Sequence, residues 1–487
     1  MKVFFFEPFT LAIPHYETAL ELIQNHLNKG DEVNFFYCNA GLNFCEANYT
    51  HSLQTCLKCI SRRKNGLELI EGREKIKISD FVNLSGDEKK LINNWNISFK
   101  DINELKAYQY ENIDMGMAIA SSLISIHRDP EPDVTKEAYM INRMFKAALK
   151  VYFSFKRLLQ NNTPDLFYIF NGRFSDIRPV VRLCEINRIN YKIHERGANK
   201  NKYALYENHL PHNFEAFQQL VNNNWNNASG SNDRYQVAEA FYQARKSGKE
   251  QSWHSFVTNQ EEDKLPSTWN SGHRNIVIFN SSEDEFAAIG DYFQKKVFKT
   301  QLEGIRFIAS ALKEKNDISV YVRVHPNLTG INNATVRDIY KIKAANFHII
   351  EPTSSISSYK LIDMCDAVVT FGSTVGVEST FWGKPSILLG DSFYKDLKAT
   401  YNPQDTDSLR ELLLTVNKPM DKLGAYQYGY YLNGFGIDFE LYQAEGLFEG
   451  KFKGVRINPS PWINKYSNLK IVKPIMEYIS RVHAEKH

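Results

Sequence analysis

Short apolar runs recur along this chain, each followed by a polar turn and then by residues with helical spacing, and that alternation constrains the fold more than any other feature. The clearest instance starts at Ala367 to Val369 and passes through Phe371-Gly372-Ser373-Thr374 to residues with helical character around Glu378. It then continues through Gly383-Lys384-Pro385 into a second apolar run ending at Leu389. Strand, turn, helix, strand is the repeating unit of a parallel α/β sheet. In such a sheet the turn after a strand's carboxyl end opens onto the ligand crevice, and the helix that follows presents unpaired N–H groups suited to a phosphate. Gly372, Ser373 and Thr374 form that turn, the two hydroxyls adding donors, and Glu378 lies about one helical turn further, within reach of a ribose hydroxyl. The plainer reading of the same residues is a Ser/Thr helix cap followed by a surface carboxylate.

The alternation extends upstream. Strands are expected at Asn275–Phe279, Ser319–Val324 and Phe347–Ile350, with helices at Gln301–Lys315, Ala334–Ala345 and Ser357–Met364. Polar motifs follow three of the strands, Ser281-Ser282, His325-Pro326 and Ser373-Thr374, so a parallel sheet is expected to bring all three to one edge. A residue before proline is held extended, which aims the His325 imidazole out of its strand, and Arg323 projects to the same face. A turn histidine with no ligand is the common alternative.

The amino-terminal half opens with a strand at Val3–Phe6, a helix at Pro14–Asn28 and a strand at Val33–Tyr37, the start of a first Rossmann-like domain. No G-x-G-x-x-G follows the first strand, so no dinucleotide site is expected there. His15, near the helix start, faces either the crevice or nothing catalytic. Residues from about 75 to 160 read as mainly helical, ending in the amphipathic run Ala138–Leu159. Strands at Leu166–Phe170 and Tyr191–His194 follow, leading into Asn171-Gly172-Arg173 with Asp176 and Arg178, and into Glu195-Arg196-Gly197. Asn171, Arg173 and Arg196 have the composition of a ligand loop, for acceptor or donor. Asp176 and Glu195 are the carboxylates best suited to act as base or nucleophile; ion pairing with Arg173, Arg178 or Arg196 accounts for them equally well.

These elements divide the chain into an amino-terminal domain at 1–222, a polar linker at 223–271 and a second domain at 272–465. A final helix from Ile471 to Val482, within 466–487, is expected to cross back to the first domain. Tyr426, Tyr428, Tyr430 and Tyr431 read as wall or core residues. At 487 residues, 43% hydrophobic and 24% charged, the chain suits two or three packed domains and excludes general disorder, and a net charge of +3 gives no reason to expect nucleic acid. The amino terminus lacks a secretory signal's apolar core and no apolar run reaches the ~20 residues of a membrane span. A cytosolic protein is expected, with peripheral contact at the inner membrane face open to it. Cys38, Cys45, Cys56 and Cys59 crowd into one stretch; in a reducing compartment they are set to close a structural zinc site, with His51 able to replace one thiol, or to stay free, or to form a redox pair. Cys184 and Cys365 read as core packing.

Arg323-Val324-His325-Pro326, Thr370 to Glu378 and Trp382-Gly383-Lys384-Pro385 to Tyr394 together resemble the bacterial capsule-polysaccharide synthesis proteins, which include β-Kdo transferases and are more distantly similar to bacterial sialyltransferases. The resemblance is strong over about 120 residues and looser at Asn171-Gly172-Arg173 and Glu195-Arg196-Gly197. It implies a GT-B glycosyltransferase with two Rossmann-like domains facing a cleft, the second holding a nucleotide-sugar donor and the first a glycan or glycolipid acceptor. By the same resemblance His325 meets the donor phosphate, Ser373 and Thr374 the phosphate or nucleotide, and Glu378 the nucleotide's sugar. Members of the Kdo type use a CMP-activated sugar and need no metal for chemistry. A polyol-phosphate transferase of the teichoic-acid type and a non-catalytic partner in polysaccharide assembly are the competing expectations.

Overall fold

The structure, a computed structural model, describes residues 1–228, 231–252, 254–285, 287–290 and 297–467. The chain forms two compact units, one made of Met1–Pro211 with Gly436–His487 and the other of His212–Phe435.

The first unit is built on a seven-stranded sheet. Strands β1 (Lys2–Glu7), β2 (Glu32–Tyr37), β3 (Lys77–Asp80), β4 (Leu166–Phe170) and β5 (Tyr191–Arg196) are mutually parallel in the order β3-β2-β1-β4-β5. Strand β6 (Lys202–Glu207) adds antiparallel beyond β5. Helices α1 (His15–Asn28) and α2 (Leu53–Leu67) follow β1 and β2. Between β3 and β4 lie α3 (Gly86–Asn93), α4 (Ile102–Ala107), α5 (Met115–His127) and α6 (Ala138–Asn161), and α7 (Arg178–Asn187) joins β4 to β5. The aromatic run Phe4-Phe5-Phe6 is fully buried in the central strand, as a strand covered on both faces requires.

The second unit opens with α8 (Phe214–Asn226) and α9 (Ser231–Lys246). Strands β7 (Arg274–Phe279), β8 (Ile318–Arg323), β9 (Phe347–Ile350), β10 (Ala367–Thr370) and β11 (Ser386–Leu388) form a wholly parallel sheet in the order β9-β8-β7-β10-β11. The intervening helices are α10 (Gln301–Leu312), α11 (Ala334–Ile339), α12 (Ser358–Met364) and α13 (Val375–Phe381), with α14 (Thr406–Thr415) and α15 (Leu423–Gly434) after the sheet. Counted within each unit, both parallel cores run 3-2-1-4-5, the Rossmann order, in which strand order reverses between the first and fourth strands. Both expected Rossmann-like units are therefore present.

The boundaries differ from the sequence reading. The stretch expected as a linker, 223–271, is largely part of the second unit. Its Asn- and Ser-rich surface conceals an aromatic face. Tyr242 stacks on Phe381 at 4.0 Å and donates from its hydroxyl to the Ala425 carbonyl, Trp225 meets Tyr430 edge-on, and Tyr235 meets Tyr426. The tyrosines of α15 are the other half of that packing. Helices α10 and α11 end at Leu312 and Ile339, short of the expected Lys315 and Ala345. The chain rejoins the first unit at Gly436, well before the expected 466. The expected helix Ile471–Val482 lies outside the described residues. No helix among the described residues is long and apolar enough to cross a membrane.

The returning segment is tied down by apolar packing of Tyr442, Phe452 and Ile457 into the first unit's core and by polar contacts. It carries β12 (Ile437–Asp438), which pairs with β6, then the hairpin β13 (Tyr442–Ala444) and β14 (Gly450–Phe452), and α16 (Pro461–Ser467). Arg62, buried in α2, donates to the Ile457 and Thr10 carbonyls and to Glu17. Glu21 of α1 accepts from three successive backbone N–H groups, of Glu440, Leu441 and Tyr442, at 2.9, 3.0 and 3.3 Å. Truncating Glu21 leaves those donors without an acceptor. Glu21→Ala is expected to destabilise the first unit by about 2–4 kcal/mol in urea unfolding, with Glu21→Gln losing clearly less.

Candidate functional site

The carboxyl ends of β7, β8 and β10 meet at the point where strand order reverses in the second unit. Ser281, Ser282, Arg323, His325, Pro326, Gly372, Ser373, Thr374 and Glu378 all line one cavity there, with a volume of about 250 Å³. This is near the lower end of small-molecule sites, which span roughly 300–1,000 Å³. The three motifs expected to converge thus share one cavity, for the reason given by parallel-sheet topology.

The turn after β10 can approach the segment after β11 closely because position 372 is glycine. Its φ is +137°, and a Cβ there would sit 2.8 Å from the Asp391 carbonyl oxygen and 3.8 Å from Ser281 Oγ. The Ser373 N–H donates to Thr370 Oγ1, and Ser373 Oγ accepts from the Val375 N–H. Helix α13 has only seven residues, so the turn's side chains, more than a long helix dipole, define this wall.

At the end of β8, His325 is held by its backbone: its N–H donates to Asn280 Oδ1 at 2.7 Å, and its Nδ1 accepts from the Asn327 N–H at 3.1 Å. A neutral imidazole accepting at Nδ1 carries its proton on Nε2, where it is a donor. Phe256 packs edge-on against the ring at 5.2 Å.

Arg323 is 2% exposed. It donates to the Glu351 and Ser354 carbonyls, and its Nε has no hydrogen-bond partner. Among the described residues no carboxylate forms an ion pair with it, and burial alone lowers its guanidinium to about 10. Asn280 Nδ2 and Ser281 Oγ, on residues 1% and 7% exposed, also lack partners. A buried cation and two donor-bearing groups without partners, all on one cavity, fit an anion.

Sequence reading missed two contributors. Asn280, the first residue after β7, was legible as a strand-end polar residue. Arg245 was not: it comes from α9, 133 positions from Glu378, inside the expected linker. It donates from Nε to Glu378 Oε1 and from Nη2 to Thr374 Oγ1, both at 2.9 Å. Glu378 also accepts from the Thr374 hydroxyl at 2.9 Å and from Tyr359 at 2.6 Å. The role carried to Glu378 by resemblance, a direct bond to the nucleotide's sugar, meets a carboxylate already engaged by three side chains of this protein.

The first-unit candidates lie at the carboxyl edge of their own sheet. Glu195 Oε1 accepts from Asn171 Nδ2 at 2.7 Å, with Asn171 in the left-handed region at φ +57°. Burial raises the Glu195 carboxyl above its ordinary range. Asp176 is fully buried, accepts from the Glu46 N–H at 3.2 Å, and is pushed up to about 6 by burial. Glu46 is pushed up to about 8 by burial and by the Asp176 charge. The expected pairing of these carboxylates with Arg178 and Arg196 is replaced by other bonds. Arg178 donates to Asp114, and Arg196 donates to the Ile13 and Leu447 carbonyls, a structural role in place of the expected ligand loop. Arg173 donates to Ser121 Oγ at 3.0 Å. Beside them, His194 bonds Glu7 at 3.0 Å in the interior.

Cys38, Cys45, Cys56 and Cys59, with His51, line a small cavity of about 20 Å³ in the first unit. Among the described residues no three or more His, Cys, Asp or Glu side chains are grouped to hold a metal. The thiols serve as hydrogen-bond acceptors, Cys59 from the Thr10 N–H and Cys56 from Asn48 Nδ2. Burial keeps Cys38 and Cys45 protonated, Cys38 at about 12.

Residues 292–407 match the family of capsule polysaccharide biosynthesis proteins. The segment bears that family's pattern and contains Arg323, His325 and Gly372 to Glu378; Arg245 and Asn280 lie outside it. No curated protein matches the chain. Among solved structures, the β-Kdo 2,4-transferase KpsC of Thermosulfurimonas dismutans is 14% identical, over 62% of this chain and 87% of that one, with a TM-score of 0.36. The UDP-GlcNAc 2-epimerase of Neisseria meningitidis is 12% identical over 84% and 90%, at 0.26, and the glycosyltransferase SnogD of Streptomyces nogalater 10% over 89% and 94%, at 0.23. The likeness is loose, and the functional reading is taken from the residues themselves.

Because Arg323 is a buried cation with no ion pair among the described residues, Arg323→Gln is expected to change the stability of the ligand-free protein by less than about 1 kcal/mol, the two lost hydrogen bonds being offset by relief of charge burial. A loss above about 3 kcal/mol in urea would mark the cation as structural. Asp176 and Glu46 are carboxyls raised in the folded state, so the native protein holds more protons than the unfolded chain from about pH 4 upward. Their contribution is present at low pH and is lost as pH rises through about 6 and about 8. The first unit is expected to melt progressively lower between pH 5 and 8, with Glu46→Gln flattening the upper half of that trend.

Proposed function

We propose that the chain is a glycosyltransferase of bacterial surface polysaccharide synthesis, transferring Kdo or a related ulosonic acid from a CMP-activated donor to a glycan or glycolipid acceptor. The observation that carries the reading is the buried guanidinium of Arg323, without a carboxylate partner among the described residues and with its Nε unbonded, in a cavity shared with His325 and the Gly372-Ser373-Thr374 turn. An anionic carrier supplies the missing counter-charge. The other arginine of the cavity, Arg245, is already matched by Glu378, while Lys249 also lines the cavity, so the cationic lining supports a phosphate-bearing carrier, and the choice of CMP over UDP rests on the resemblance to the Kdo-type members. The match of residues 292–407 to capsule biosynthesis proteins supports the biological setting.

Sugar transfer of this kind breaks the anomeric C–O bond through an oxocarbenium-like state, so the departing phosphate must be stabilised and a carboxylate must serve the anomeric carbon or the acceptor hydroxyl. His325, donating from Nε2, and the Arg323 field meet the first need. Glu195 meets the second better than Asp176, which is fully buried and bonded to the Glu46 backbone.

CMP is expected to raise the melting temperature, UDP less so, and His325→Ala to remove the CMP shift. CMP-Kdo is expected to be hydrolysed slowly without acceptor. A shift with CDP-glycerol alone would point to polyol-phosphate transfer, and no shift with any nucleotide would leave a non-catalytic assembly partner.

A further inference from the structure

The cavity of the second unit has two chemically different ends. One, made by β7 and β8, carries Arg323, Asn280 and Ser281, whose charge and donors are uncompensated. The other is made by α9, α12 and α13. There Arg245 is fixed through Nε on Glu378 and Nη2 on Thr374, Tyr359 donates to the same carboxylate, and Phe241 lies 5.7 Å from the guanidinium carbon. Glu378 cancels the charge of Arg245 without occupying all of its donors. Nε and Nη2 make the bonds to Glu378 and Thr374, Tyr359 is also in hydrogen-bond contact with the guanidinium, and Arg245 retains 34% side-chain exposure and lines the cavity, with Nη1 outside the bonds to Glu378 and Thr374. The cavity lining includes the Tyr359 ring and the apolar side chains of Ile362 and Val375, together with Lys249 and Ser358. A guanidinium held by two bonds, neutralised by a carboxylate and flanked by apolar side chains, is suited to a neutral carbonyl or hydroxyl acceptor on a ring, not to a phosphate.

We propose that Arg245 is the nucleoside-recognising residue of this site, donating from Nη1 to a neutral oxygen of the carrier's base or ribose, so that the ligand lies with its phosphate toward Arg323 and its nucleoside toward α9. The proposal rests on the nucleotide reading of the cavity and adds a residue outside the matched family segment. It also gives Glu378 its work: the carboxylate orients and neutralises Arg245, and the nucleoside meets the guanidinium it holds.

Removing Arg245 alone strands a buried carboxylate, so Arg245→Gln is paired with the double variant Arg245→Gln/Glu378→Gln, which removes both charges together. Titration calorimetry of wild type, both variants and Arg323→Gln with CMP, cytidine and inorganic phosphate separates the two ends. The expected result is a loss of about tenfold or more in CMP affinity in the double variant, with phosphate affinity within about twofold of wild type, while Arg323→Gln weakens CMP and phosphate together. CMP binding in a folded double variant at wild-type affinity would overturn the assignment of Arg245 and leave the nucleotide reading standing. Failure of CMP to bind wild type would sink the nucleotide reading and this inference with it.

Discussion

Arg323 is carried into the interior by the last residue of a buried strand, and withdrawing its charge from water costs several kcal/mol even with two backbone carbonyls accepting from it. Proteins rarely keep such a cation without a carboxylate beside it. Here the nearby carboxylate of the cavity, Glu378, is given to Arg245 instead. The site is assembled around it: the Rossmann strand order brings the ends of β7, β8 and β10 together, Asn280 clamps the His325 backbone, and Gly372 lets the turn after β10 pass close to the Asp391 carbonyl. Under the proposed function, the electrostatic deficit at that point is what a phosphate repairs.

The same cavity shows why a charge's neighbours matter more than its identity. Two arginines line it, but one behaves as a net charge and the other as an oriented, neutralised donor. That division follows from the placement of one carboxylate at the first turn of α13, and from the helix α9 that delivers Arg245 to it.

In the first unit, burial pushes carboxyls in the opposite direction. Glu195, Glu46 and Asp176 are raised because their charges are desolvated, and Glu7 is raised despite its bond to His194. Asp176 at about 6 and Glu46 at about 8 lie close to neutral pH, a range suited to proton transfer, which the ordinary carboxylate range is not. The thiol cluster obeys the same rule: desolvation keeps its thiols protonated and suited to packing and weak hydrogen bonds.

The strand ends of the second unit were readable in advance because their causes are local. Apolar runs set β7, β8 and β10, proline fixed the backbone of His325, and a parallel sheet leaves its turns only one edge on which to meet a ligand. Arg245 was invisible to such reasoning, since its helix is polar on one face and its aromatic partners, Phe381 and the tyrosines of α15, lie more than a hundred residues away. For the same reason a segment that reads as a linker is a wall of the site: proximity along the chain does not determine which way side chains converge. Sequence by itself determined the two Rossmann-like units and the residues at their strand ends, through short-range periodicity. Only tertiary packing decided which arginine is paired, where the chain returns to its first unit, and how the thiols are used, because each depends on contacts between segments far apart in the chain.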